Sequence, residues 1–180
     1  MCMALTGSPQ PKGWRHKLKD EPGINFSYER KWREIIESEP FGVGFDVIPH
    51  SGVSLGNINT SAVAGATFRI GYDLPTDYGP PRIRPTGMGS DFFMPPKRLS
   101  GYLFSVFEMR AVAQNIFLDG NAFKDSESLD KRVMVKSAQL GGALILGDAR
   151  LSYTYIFVTK EFKGQVRATD FGALTFSYRI

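Results

Sequence analysis

The feature that most restricts this fold is a strict alternation at the end of the chain. From Phe171 to Ile180 the apolar residues Leu174, Phe176, Tyr178 and Ile180 fall on every second position, with Thr175, Ser177 and Arg179 between them. Successive side chains of a strand point to opposite sides of its sheet, so this stretch is a strand with one apolar and one polar face. Two homes suit it. In a soluble β-domain the apolar face packs on a core. In a membrane β-barrel it meets lipid, and an aromatic-rich strand of this kind ends the chain, usually with Phe or Trp where this sequence has Ile180.

The same pattern recurs upstream. Ile24, Phe26, Tyr28 and Trp32 oppose Asn25, Ser27, Glu29 and Lys31, with Arg30 interrupting the apolar face. Phe41, Val43, Phe45 and Val47 alternate with Gly42, Gly44 and Asp46, and this strand is expected to continue past Pro49 and His50 to Leu55, with a bulge at the proline. Gly56 and Asn57 turn the chain into a strand that runs to Tyr72. Tyr102 to Phe117, Ser137 to Leu146 and Arg150 to Phe157 supply three more, the last two joined by a turn at Gly147 and Asp148. The reading is an all-β, antiparallel chain of about seven strands, several reaching the roughly 9–11 residues that a tilted strand needs to cross a bilayer. Arg33 to Pro40 reads as a charged connection, and Asp73 to Ser100, with most of the chain's eleven prolines, as a long irregular segment. Residues 1–22 form a leading loop and 23–180 the strands and loops of a single domain.

Composition narrows the choice. With 180 residues and 42% apolar content the chain folds as one domain, and no apolar run approaches the roughly 20 residues of a membrane-spanning helix. A net charge of +4, spread along the chain, lacks the dense basic block of a nucleic-acid binder. The single Cys2 excludes an intrachain disulfide and a cysteine-based zinc site, and two isolated histidines, His16 and His50, make no metal cluster. Tyrosine and tryptophan at Trp32, Tyr72, Tyr153 and Tyr178, opposite a face of Gly, Ser, Thr and paired charges, favour a membrane wall around a narrow polar lumen. The N-terminus lacks the apolar stretch of a secretory signal, and bacterial single-chain barrels have even strand numbers. A barrel reading therefore places further strands before Met1 and makes this chain the C-terminal part of a longer protein.

Two sets of polar residues stand out. Lys12, Arg15, Lys17 and Lys19 surround Trp14, either as a collar that contacts phosphorylated lipid headgroups or as a solvated loop with the indole tucked inward. Asp46, Glu29, Glu108, Arg110, Arg69 and Arg150 lie on the polar faces, where buried charges need partners, and are expected to form one ion-pair network. His50 reads as lumen structure: its neighbour Ser51 points to the opposite face, so the two do not make a base and nucleophile. No residue is assigned a catalytic or metal-binding role from the pattern. The aspartates between Asp119 and Asp130 lack the spacing of a calcium loop.

Taken together, PKGW at 11–14, KDEPGINFSYERKWR at 19–33, FDVIPHSGVSLGN at 45–57, AGATFRIGYDLP at 64–75, YGPPRIRP at 78–85, RAVAQNIFLDGN at 110–121 and ARLSYTYIFVTKEFKGQ at 149–165 resemble the outer-membrane lipid A 3′-O-deacylases of the LpxR type. The resemblance implies a twelve-stranded transmembrane barrel in the outer membrane of a Gram-negative bacterium. It also implies a monomer with no nucleic-acid partner, and calcium-dependent hydrolysis of the 3′-linked acyl ester of lipid A, the lipid anchor of lipopolysaccharide. The family's histidine precedes its Gly-Trp pair, at a place that falls near Met3 here, where there is none, and the usual Gln is replaced by Lys17. Its other site residues come from strands that would precede Met1. The chain is thus expected to be inactive as it stands. The alternatives are a non-enzymatic outer-membrane barrel and a soluble lipocalin-like lipid binder.

Overall fold

The structure is a computed structural model that describes residues 20–33, 36–38, 43–79, 99–121 and 128–179. The strands are β1 (Asn25–Lys31), β2 (Ile36–Ser38), β3 (Val43–Gly56), β4 (Asn59–Tyr72), β5 (Ser100–Asn115), β6 (Met134–Leu146), β7 (Ala149–Val158) and β8 (Thr169–Tyr178), with a single helical turn α1 (Ile116–Asp119) after β5. All pair antiparallel in one sheet, in the order β1-β3-β4-β5-β6-β7-β8, with β2 paired to β3 off that path. β1 and β8 are the two ends of that order, and no pairing joins them among the described residues.

β2 lies in what the sequence suggests is a charged connection. It pairs with β3 beyond β1, so β1 and β2 are two parts of one edge strand. The break between them falls opposite Pro49. That residue accepts from the Trp32 amide across the edge, so the donor it lacks also faces the edge strand. Register with β4 is uninterrupted from Val43 to Ser54. The irregularity expected at Pro49 is therefore in its partner strand, and among the described residues the register shifts between Thr60 and Ser61 of β4, where Ala113 of β5 is the extra residue. The strand expected to reach Phe117 stops at Asn115, whose side chain accepts from the Phe117 amide and caps α1.

Burial is inverted. In β7, Arg150, Ser152 and Thr154 are 0–1% exposed, while Leu151, Tyr153 and Tyr155 are 46%, 53% and 43% exposed. Across the described residues 32 large hydrophobic side chains are exposed and nine hydrophobic ones are buried. Leaving a large apolar side chain in water forfeits about 1.5–3 kcal/mol, far beyond the roughly 5–15 kcal/mol stability of a domain when summed over such a surface. The outer face is made for hydrocarbon, and the soluble binder reading is set aside. Tyr72 and Tyr178 end their strands at the same end of the sheet, but Tyr153 is mid-strand and Trp32 lies midway along the edge strand.

The inner face is built in layers that follow the register. Ile48, Thr67, Val106, Gln139 and Ile156 form one row across β3 to β7. This row divides two sets of charges.

Candidate functional site

Toward the end of the sheet that holds the Gly147 turn, Arg69 on β4 is 1% exposed and sits between two carboxylates. Its Nε donates to Asp46 Oδ1 and Oδ2 at 2.9 and 3.1 Å, its Nη2 also donates to Asp46, and its Nη1 donates to Asp77 Oδ1 at 2.5 Å. The guanidinium lies over the Tyr102 ring, 5.4 Å from its centre. Asp46 reaches Arg69 because the two are directly opposed on β3 and β4. Asp77 comes from the segment that follows β4.

That segment folds into the inner face. Asp73 takes a positive φ of 51°, and Leu74 then packs against the cluster of Tyr102, Phe104, Val106, Ala143 and Ile145. A Cβ on Gly44 would come within 2.8 Å of Leu74, so the missing side chain makes its seat. The Pro75 carbonyl accepts from Arg69 at 3.2 Å, the Thr76 carbonyl from Arg33, and the Tyr78 carbonyl from Lys31 at 3.4 Å. Asp77 is fully buried; burial pushes its carboxyl up from the ordinary value, against the pull of Arg69, the Gly79 amide and Arg150. Its Oδ2 stands 3.9 Å from Arg150 Nη1. The first part of the proline-rich segment is thus a plug held by charge and by main-chain acceptors.

Beyond the row from Ile48 to Ile156 lies the second set. His50 Nε2 is 3.4 Å from Glu108 Oε2, and Arg110 Nη2 is 3.2 Å from Glu108 Oε1. A cavity of about 100 Å³ opens beside Glu108 and Arg110 toward Ser137, Gln139 and Thr169. Among the described residues the pairs fall into two sets where the sequence suggests one network, Asp77 with Arg69 and Arg150 and Asp46 with Arg69 in the first, Glu108 with Arg110 in the second. Glu29 shares a row with Arg110 across β1, β3, β4 and β5. Asp77 was not foreseen, and its only sequence signal is an acidic residue within the irregular segment.

This arrangement orders charge but does not assemble a hydrolytic triad. Glu108 lies between His50 and Ser137 in the row, so a serine there would meet the carboxylate and not the imidazole. Among the described residues no three His, Cys, Asp or Glu side chains gather as a metal site. Asp119 is held by Lys131 at 2.5 Å and Asp130 faces Lys163 at 3.3 Å. Lys12, Trp14, Arg15, Lys17 and Lys19, with His16 and Met3, lie outside the described residues.

The family model described as outer membrane protein LpxR matches residues 4–180. The fold is similar to that of LpxR from Salmonella typhimurium, with a TM-score of 0.73 and 18% identity over 93% of this chain. The chain spans 55% of that relative's length. Comparison with the curated proteins found no match.

Proposed function

Because this chain belongs to the LpxR family of outer membrane proteins, we propose that it supplies barrel wall to a lipid A 3′-O-deacylase, which hydrolyses the ester of a 3′-linked acyl chain in the outer membrane of a Gram-negative bacterium. The observation that carries the reading is the inverted sheet: Leu151, Tyr153 and Tyr155 face outward while Arg69, Asp77 and Arg150 are buried within. Such a wall holds a protein at the depth where lipid A presents its acyl esters. Ester hydrolysis at neutral pH needs a positioned base or nucleophile and stabilisation of the developing oxyanion. Among the described residues His50, Glu108 and Ser137 do not line up as such a set.

A second reading, a barrel without hydrolytic activity, draws on the same pairing of His50 with Glu108. Mass spectrometry of lipid A decides between them. Deleting the gene in its host is expected to restore the mass of the 3′-linked chains, and re-expression to remove it again. Lipid A identical with and without the gene would rule out the deacylase reading.

A further inference from the structure

The outer wall carries a trough that the deacylase reading does not use. Two adjacent outward rows cross the sheet near the Gly147 end. One runs Tyr72, Gly101, Leu144, Leu151, Phe176; the next runs Ile70, Leu103, Gly142, Tyr153, Leu174. Each is bulky except for one glycine, and the two glycines are diagonal neighbours on β5 and β6. The result is an open cavity of about 630 Å³ with Gly101 and Gly142 in its floor and Ile70, Leu103, Leu144, Leu151 and Leu174 around it.

Glycine inside a strand weakens it and often marks close approach by a ligand or another backbone. Neither floor position demands glycine for its backbone, since neither has a positive φ. A Cβ on Gly101 would press on the tip of Leu144 at 3.1 Å and one on Gly142 on the tip of Leu103 at 3.3 Å, with the Ala143 and Tyr102 carbonyl oxygens at ordinary contact distances of 3.9 and 3.7 Å. The wall could take alanine with a small shift of a leucine, and the space is kept open nonetheless.

We infer that this trough binds one acyl chain of a zwitterionic phospholipid. It is continuous with the lipid-facing wall, and it is a single groove, whereas the fan of chains on a glycolipid would need several side by side. Charge at the rim agrees. Asp73 follows Tyr72 directly and Asp148 lies in the turn beyond Leu146; both are exposed. Exposed Arg179 joins Asp148 through its amide at 2.9 Å. Carboxylates suit a headgroup ammonium and the guanidinium suits its phosphate. The bisphosphorylated headgroup of a glycolipid would meet the two carboxylates as like charges.

A photoactivatable phosphatidylethanolamine with a diazirine on one acyl chain tests this in outer-membrane vesicles that hold the full chain. After illumination, peptide mass spectrometry is expected to find adducts on Leu103, Leu144 and Leu151 at least about fivefold over Val47 and Phe68 on the neighbouring wall. Gly101→Leu with Gly142→Leu fills the trough and is expected to abolish that excess, with labelling of Val47 and Phe68 unchanged. Heat-modifiable electrophoretic mobility reports whether the variant folds. If it does not, the double alanine variant serves, with a smaller loss expected. Even labelling along the wall, an equal excess from a lipid A analogue carrying the same diazirine, or copy-to-copy crosslinks at these residues would each overturn the proposal.

Discussion

His50 reaches across a whole strand to Glu108, its Nε2 3.4 Å from the carboxylate Oε2, over the bare backbone of Gly65. The three residues share one row of β3, β4 and β5. A Cβ on Gly65 would lie 2.7 Å from His50 Nε2 and 2.3 Å from the Phe107 carbonyl oxygen. The pair thus depends on an absent side chain in the strand between.

Gly65→Ala is expected to destabilise the protein by about 1–3 kcal/mol, the range for overpacking a well-filled site. Urea unfolding in lipid vesicles measures it. Adding His50→Ala should recover only part of the loss, because the Phe107 carbonyl contact remains. Full recovery would mean that the imidazole alone is displaced.

Arg69→Met should cost more. It leaves Asp46 and Asp77 buried without the guanidinium that both share, and breaking a buried pair from one side costs about 3–5 kcal/mol. Combining it with Asp46→Asn and Asp77→Asn should recover part of that loss, since amides carry no charge to desolvate. A triple variant less stable than Arg69→Met would show that the carboxylates have other uses.

Alternation made most of the wall legible. Arg150, Ser152 and Thr154 against Leu151, Tyr153 and Tyr155 fix two faces whatever the solvent, and the aromatic side is the outward one. Register was harder. One network was expected where there are two, because only pairing reveals that Ile48, Val106 and Ile156 stand between Asp46 and Glu108. Asp77 was hidden for another reason. A segment without periodicity says nothing of where it folds, and its return into the inner face depends on Leu74, Gly44 and Arg69 meeting in space. β2 was missed because its pairing with β3 survives a break that reads, in one dimension, as a connection.

Depth on the outer wall gives a sharper test of the membrane reading. Leu140 lies in a middle row with Phe68 and Tyr155, whereas Leu146 ends β6; both are well exposed, at 57% and 69%. In a bilayer Leu140→Arg is expected to cost about 2–4 kcal/mol and Leu146→Arg about 0–1 kcal/mol. Folding titrations into vesicles compare the two. In water both substitutions would be close to neutral, so equal small effects would refute the lipid-facing wall.

The last prediction separates structure from chemistry at His50. A general base must lie within hydrogen-bond reach of the proton it removes. Nε2 of His50 faces Glu108, Ser51 points to the other side of the sheet, and Ser137 lies beyond the carboxylate. The imidazole is also 3% exposed as a residue, on the inner face. His50→Gln should therefore lower the urea midpoint, because the ring that fills the space over Gly65 beside Glu108 is lost. In the longer deacylase to which this chain is proposed to supply wall, it should leave 3′-deacylation per folded molecule unchanged, measured by lipid A mass spectrometry and normalised to the heat-modifiable fraction. A drop of about 10²-fold or more, the usual loss on removing a general base, would make His50 catalytic and place the reaction inside the lumen.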